Sequence, residues 1–311
     1  MTTSDVKPLQ PPKGPPCAES HIFNSMVALL KRAGLEWRGN FRSVGDRIIH
    51  FLDYGEGRPV LLLHGGGAGS AVWFRQIEML SKTRRVIAPD HPVFGLSSQT
   101  PYKSPLTDSL VTYLIDLMDD IGLDKVDIVA LSMGAQAALA LAIERPERVV
   151  KMVVIDSAGL GRAFPLIFRL ATVPLLGRLV VRPNRWGQDN YFKTMEVVDS
   201  EFDDAPAYRQ YAYDVTLSDG HAQAMRASLR VITGLGGQKQ FFSDAELRSI
   251  SVPTLAIWGE HDQVFPVEHG YRLARLVPGA RLHVIENAAH VPLLDNPDQV
   301  NELIAGFLAE A

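Results

Sequence analysis

Between about residue 60 and residue 155, short apolar runs alternate with longer stretches of helix-forming residues. The runs at 60–63, 126–131 and 149–155 are only a few residues long and nearly continuous in Val, Leu, Ile and Ala. Runs of that length, without strict alternation, read as strands buried on both faces. The stretch 135–142 is made of Ala, Leu and Gln, which favour helix. Such alternation implies an α/β fold: a mostly parallel sheet with helices on both sides. Upstream, residues 22–31 predict a short helix with Phe23, Met26, Val27 and Leu30 on one face. Residues 41–60 predict two antiparallel strands joined near Gly45-Asp46, followed by a turn at Tyr54-Gly55-Glu56-Gly57.

The alternation stops between residues 158 and 250. That stretch holds helix-like pieces separated by Pro165, Pro174, Pro183, Pro206 and Gly234-Leu235-Gly236-Gly237. Strand-like runs return at 252–257 and 282–285, and a closing helix starts at Pro297. The pattern predicts a core made of residues 20–157 and 251–311, with 158–250 inserted as a helical unit. Residues 1–19 carry Pro8, Pro11, Pro12, Pro15 and Pro16 and are expected to be a disordered or surface-draped tail.

Composition narrows the function classes. The chain has 311 residues, 46% of them apolar, enough for a large core with an insertion. A formal net charge of −4 gives no reason to expect nucleic acid or an anionic membrane as partner. Cys17 is the only cysteine, which excludes an internal disulfide and suits a reducing compartment. With no secretory signal in the first twenty residues and no apolar stretch of spanning length, the cytoplasm is the expected location.

Candidate chemistry lies at the ends of the predicted strands. Ser132, in Ala130-Leu131-Ser132-Met133-Gly134, follows one strand and opens a helix. A sharp strand-to-helix turn strains its central residue, and small residues two positions away on either side relieve the crowding. The turn pushes the hydroxyl outward and leaves the Met133 amide at a helix N-terminus, where developing negative charge is favoured. His64-Gly65-Gly66-Gly67-Ala68-Gly69 follows the strand at 60–63, and its glycine amides, those of Gly66 or Gly67, are candidates for a second oxyanion donor. Three carboxylates follow strands: Asp156, Glu260 and Asp262. Asp262 is preferred because its loop lies nearest in sequence to His290. Among nine histidines, His290 alone sits on a loop between the last apolar strand and the closing helix. His64 reads as a structural hinge beside the glycines, and His91 lies in a turn.

These four stretches, in this order, resemble the α/β-hydrolases of the capped, serine-nucleophile kind. The resemblance runs from about Arg47 to the C-terminus apart from the variable middle. It implies Ser132 as nucleophile, His290 as base and Asp262 as the acid that orients it, with 158–250 as the cap. It also implies a carboxylic ester hydrolase acting on apolar small molecules, without metal or organic cofactor. Ala130 stands where glycine is commoner, and Ala135 where many relatives have a second glycine; both are small enough for the turn to form.

A similar subgroup, the carbon–carbon hydrolases of meta-cleavage products, shares the glycine loop, the Ser-Met-Gly turn and the cap. Those enzymes commonly have Asn before the nucleophile and Trp after the histidine, where this chain has Leu131 and Val291. They also commonly use a cap arginine to hold a substrate carboxylate, for which Arg162, Arg169, Arg178, Arg182 and Arg185 are candidates. Dehalogenases and epoxide hydrolases of the family carry Asp in place of Ser132. A ligand-binding protein without turnover is a further alternative, disfavoured by the full Ser, Asp and His set. The apolar stretch 164–176 is expected to pack mostly against the core. Arg162, Arg169 and Arg178 near it form no continuous face in the sequence.

Overall fold

The computed structural model describes residues 21–67, 69–185, 187, 192, 195 and 204–310. The proline-rich stretch 1–19 lies outside them. Eight strands form one sheet: β1 (Gly39–Val44), β2 (Arg47–Tyr54), β3 (Pro59–Leu63), β4 (Arg85–Pro89), β5 (Val126–Leu131), β6 (Val149–Ile155), β9 (Thr254–Gly259) and β10 (Arg281–Ile285). Their order is β1-β2-β4-β3-β5-β6-β9-β10. Pairing is antiparallel for β1 with β2 and for β2 with β4, and parallel across the rest.

The register decides where function can sit. Leu63 lies opposite Ala130, Leu131 opposite Ile155, and Ile155 opposite Ile257. The C-terminal ends of β3, β5, β6 and β9 therefore share one edge, the usual location of sites in parallel sheets. All six residues of β5 are buried, including Asp127. This one charge in the run is held by Arg84 at 2.6 Å and Arg58 at 2.9 Å, as a buried carboxylate requires. Helices α2 (Phe74–Leu80) and α3 (Leu106–Asp120) precede α4 (Met133–Glu144), which lies against the sheet with its first ten residues all buried. Gly134 is needed there: a Cβ would stand 2.3 Å from the Leu63 carbonyl oxygen.

Helix α1 spans His21–Arg32 and buries Ile22, Met26, Leu29 and Leu30. Its inward face is rotated by about one residue from the expected one, and Phe23 and Val27 are only half-buried. The helix packs against Ala205–Thr216, a helix of the insertion, which sets the rotation. The β1–β2 hairpin turns at Gly45, whose φ of 59° suits glycine.

Between β6 and β9 the chain leaves the sheet. The described part contains α5 (Leu166–Leu170), α6 (Pro174–Val180), the helices Ala205–Thr216, His221–Ile232 and Asp244–Ser249, and a hairpin of β7 (Thr233–Gly234) and β8 (Gly237–Gln238). Gln238 fastens this hairpin to the core exit: its side chain accepts from the Gly159 amide at 2.9 Å and donates to the Gly161 and Ala163 carbonyls at 2.8 and 2.9 Å. Arg75 bonds Asp204 at 2.6 Å, and Arg32 pairs with the same carboxylate. Contrary to expectation, the apolar stretch 164–176 is not largely core: of its side chains only Ala171 is fully buried. Its two helices are too short to present a continuous inward face.

Candidate active site

Ser132 follows the last residue of β5 and precedes the first of α4, with φ 56° and ψ −115°. That left-handed φ is the strain expected of a turn this sharp. Three backbone bonds hold it: the Ser132 amide donates to Ile155, and its carbonyl accepts from Gln136 and Ala158. Ala130 and Ala135 are both fully buried, and the turn forms with them in place. Met133 starts α4, so its amide lies at the helix N-terminus.

The structure brings Ser132, His290 and Asp262 together. The Ser132 hydroxyl donates to His290 Nε2 at 3.0 Å, and His290 Nδ1 donates to Asp262 Oδ2 at 2.8 Å. Asp262 Oδ1 accepts from the Val264 and Phe265 amides at 2.7 and 3.0 Å, so its carboxylate has little freedom to rotate. The Phe265 ring meets His290 edge-on, with centroids 5.4 Å apart. Next to His290, the Val291 amide donates to the Met195 carbonyl in the insertion at 3.1 Å.

The other two carboxylates separate cleanly. Glu260 is exposed and accepts from the Asn287 amide at 3.3 Å, away from His290. Asp156 is fully buried, with a φ of 44°, and accepts from the Gly259 amide at 3.0 Å. Ligand atoms of Asp156, Asp262 and His290 all lie within 4.8 Å of one another. Burial and the Asp262 carboxylate raise the pKa of the Asp156 carboxyl well above the ordinary range, which favours its protonated form. Among the described residues this is the one cluster of metal-ligating types, and its histidine is already engaged with the serine.

His64 braces the glycine loop. Its Nδ1 donates to the Gly65 carbonyl at 2.6 Å while Nε2 accepts from the His91 amide at 2.9 Å. Burial lowers its pKa, which favours the neutral ring, and the His91 amide at Nε2 leaves the ring proton on Nδ1. Gly65 presses on the nucleophile: a Cβ there would stand 3.0 Å from Ser132 Cβ. Gly66 lines the cavity around Ser132, and Gly67 does not.

That cavity measures about 20 Å³ and is lined by Gly65, Gly66, Val72, Leu131, Ser132, Met195, Tyr208, His290 and Val291. It holds no more than about one water molecule. Val72, Met195 and Tyr208 were not foreseen from the sequence, since no motif marks them. None of the five candidate arginines lines this space. Arg162 lies over the Phe241 ring at 5.8 Å, and Arg169 donates to the Leu235 carbonyl. Arg185 lies over Tyr213 at 4.6 Å, while Arg178 and Arg182 are exposed.

Comparison with known proteins bears on the fold and the family. A family model described as alpha/beta hydrolase fold matches residues 58–297. The chain belongs to the α/β-hydrolases. It is 32% identical over 275 residues to a 2-hydroxy-6-oxononadienedioate/2-hydroxy-6-oxononatrienedioate hydrolase 2 of Pseudomonas putida, covering 85% of this chain and 92% of that protein. It is 29% identical to a 2-hydroxy-6-oxo-6-phenylhexa-2,4-dienoate hydrolase of Burkholderia cepacia, covering 87% and 94%. Among solved structures, carboxylesterase CesB (YbfK) from Bacillus subtilis superposes with a TM-score of 0.76 at 25% identity, covering 93% of this chain and 97% of that one. The meta-cleavage product hydrolase CumD from Pseudomonas fluorescens IP01 gives 0.74 at 27%, covering 86% and 97%. No described helix of this α/β-hydrolase is long and apolar enough to cross a membrane.

Proposed function

We propose that this α/β-hydrolase cleaves carboxylic esters of uncharged, apolar small molecules through an acyl-enzyme on Ser132, with residues 158–250 as its cap. The observation that carries the choice of substrate is the lining of the serine cavity. Val72, Leu131, Met195 and Val291 surround it, and among the described residues no arginine or lysine lines it. A carboxylate-bearing substrate buried there would lack a counter-charge, at a cost of several kcal/mol (about 3 or more).

The chemistry follows from the hydrogen bonds. The Ser132 proton passes to His290 Nε2 as Oγ attacks the ester carbonyl carbon. Asp262 stabilises the imidazolium and holds its tautomer. Amides of Met133 and Gly66 receive the charge that develops on the carbonyl oxygen. His290 then gives its proton to the departing alkoxide, leaving the acyl group on Ser132. Water, deprotonated by His290, releases the acid and restores the hydroxyl. The cavity is too small for an ester as it stands, so Met195 and Tyr208 withdraw on binding.

A second reading is carbon–carbon cleavage of a 2-hydroxy-6-oxo-dienoate. It is favoured by the names of the relatives above, and it uses the same first attack on a carbonyl. One experiment addresses both: p-nitrophenyl esters from acetate to a long acyl chain, and a 2-hydroxy-6-oxo-6-phenyl dienoate, are offered to wild type and Ser132→Ala. The expected result is serine-dependent ester turnover with an optimum above acetate and much slower loss of the dienoate chromophore. Faster cleavage of the dienoate would replace the ester reading with the second one. Binding without turnover of either would overturn both.

A further inference from the structure

Large apolar side chains that remain exposed concentrate on the insertion. Leu166 and Ile167 of α5, Leu175 and Leu179 of α6, and Leu235 at the hairpin tip are all more than half exposed, with Leu175 at 77%. Leu176 and Phe241 add to the same region. The other comparable side chains among the described residues, Ile48, Leu217 and Tyr271, are well separated in the sequence, and of these only Leu217 belongs to the insertion. Leaving so much apolar surface in water is unusual in the absence of something to cover it.

Charge is segregated in the same place. The stretches 158–188 and 220–243 contain seven arginines (162, 169, 178, 182, 185, 226 and 230) and Lys239, and no Asp or Glu, in a chain whose net charge is −4. Arg162, Arg178, Arg182, Arg185, Arg230 and Lys239 are exposed. Contacts join the two stretches: Arg226 donates to the Pro174 carbonyl at 3.1 Å, and Arg169 to that of Leu235. Helix α6 packs on α5 and on His221–Ile232, and these two pack on β7. The cations that form no continuous face along the sequence thus gain neighbours from the second stretch when the chain folds.

We propose that this face docks on the surface of an anionic lipid bilayer. The leucines enter the boundary between headgroups and acyl chains, and the arginines meet lipid phosphates. A second copy of the chain is a poorer occupant, because a two-fold contact would set the same cations against each other. Docking is independent of which bond Ser132 attacks; it places the insertion where apolar substrates partition.

Vesicle flotation of the full chain tests this, with vesicles of phosphatidylcholine alone or mixed equally with phosphatidylglycerol. Wild type is expected to float with the mixed vesicles at low salt, hardly with phosphatidylcholine, and less as salt rises. Leu175→Ser with Leu179→Ser should lower the bound fraction about tenfold. Arg178→Glu with Arg182→Glu should lower it by at least about tenfold, on mixed vesicles only. Both double variants should keep wild-type melting and wild-type hydrolysis of a soluble ester. Equal flotation on the two lipids, or none, overturns the proposal. So does self-association in vesicle-free buffer that Leu175→Ser with Leu179→Ser abolishes, which would make the face a contact between copies.

Discussion

Strand β5 and helix α6 are of similar length and similarly rich in apolar residues, yet all six side chains of β5 are buried while α6 buries only Gly177. Both sequences read as hydrophobic. The first is enclosed by β3, β6 and α4, and its register sets where Ser132 stands. The second rides on an insertion that is anchored elsewhere, through residues such as Gln238, Asp204 and Tyr211, and leaves its own leucines outward. In the proposed reading the enclosed region sets the reaction, and the outward one sets what reaches it.

The largest break in that comparison is expected at the enclosed end. Ser132→Ala should lower the ester rate by about 10⁶-fold while leaving the melting temperature essentially unchanged, checked by steady-state kinetics and calorimetry. Full hydrolysis by a well-purified variant would remove Ser132 from the chemistry. Asp262→Asn should cost about 10⁴-fold in kcat with little change in KM, because the wrong His290 tautomer is then favoured. Gly134→Ala tests enclosure itself. A Cβ 2.3 Å from the Leu63 oxygen should destabilise the fold by about 3 kcal/mol, read in a urea titration. The matching change on the outward side, Leu175→Ser, should alter stability by less than about 0.5 kcal/mol.

The smallest effect on rate is expected at Asp156, and it sharpens the comparison through pH. Its carboxyl is raised in the folded chain by burial and by Asp262. Above an ordinary carboxylate pKa of about 4, the unfolded chain releases this proton while the folded chain keeps it. The group therefore favours folding fully at low pH, and that contribution declines as pH rises. Asp156→Asn should keep most of the activity, match wild-type melting near pH 4 and exceed it near about pH 8. A variant that melts lower at the higher pH would mean that Asp156 is ionised in the folded chain.

How much of this was legible beforehand follows the same division. The strand-like runs at 60–63, 126–131 and 149–155 each correspond to a strand, since such runs have few other ways to hide from water. The Ser132 turn, the glycine loop and the His290 loop could be read because each sits directly at a strand end. Asp127 interrupts its run without consequence, for reasons visible only once Arg58 and Arg84 are in place. The face of α1 was misjudged by one residue, because its partner, the helix Ala205–Thr216, lies far along the chain. Met195 and Tyr208 carried no signal at all. They reach the serine through tertiary packing of an insertion whose sequence follows no period. For the same reason five arginines looked equally able to bind a carboxylate, and the fold leaves all of them outside the cavity.

The hydrogen bond from the Val291 amide to the Met195 carbonyl has a bearing on access. Met195 roofs the cavity, and Val291 is bonded directly to His290. A withdrawal of Met195 that carried its backbone along would break this link, while the bonds from His290 to Ser132 and Asp262 need not change. One bond thus joins the space offered to a guest to the loop that carries His290, and whatever enlarges the first is felt by the second.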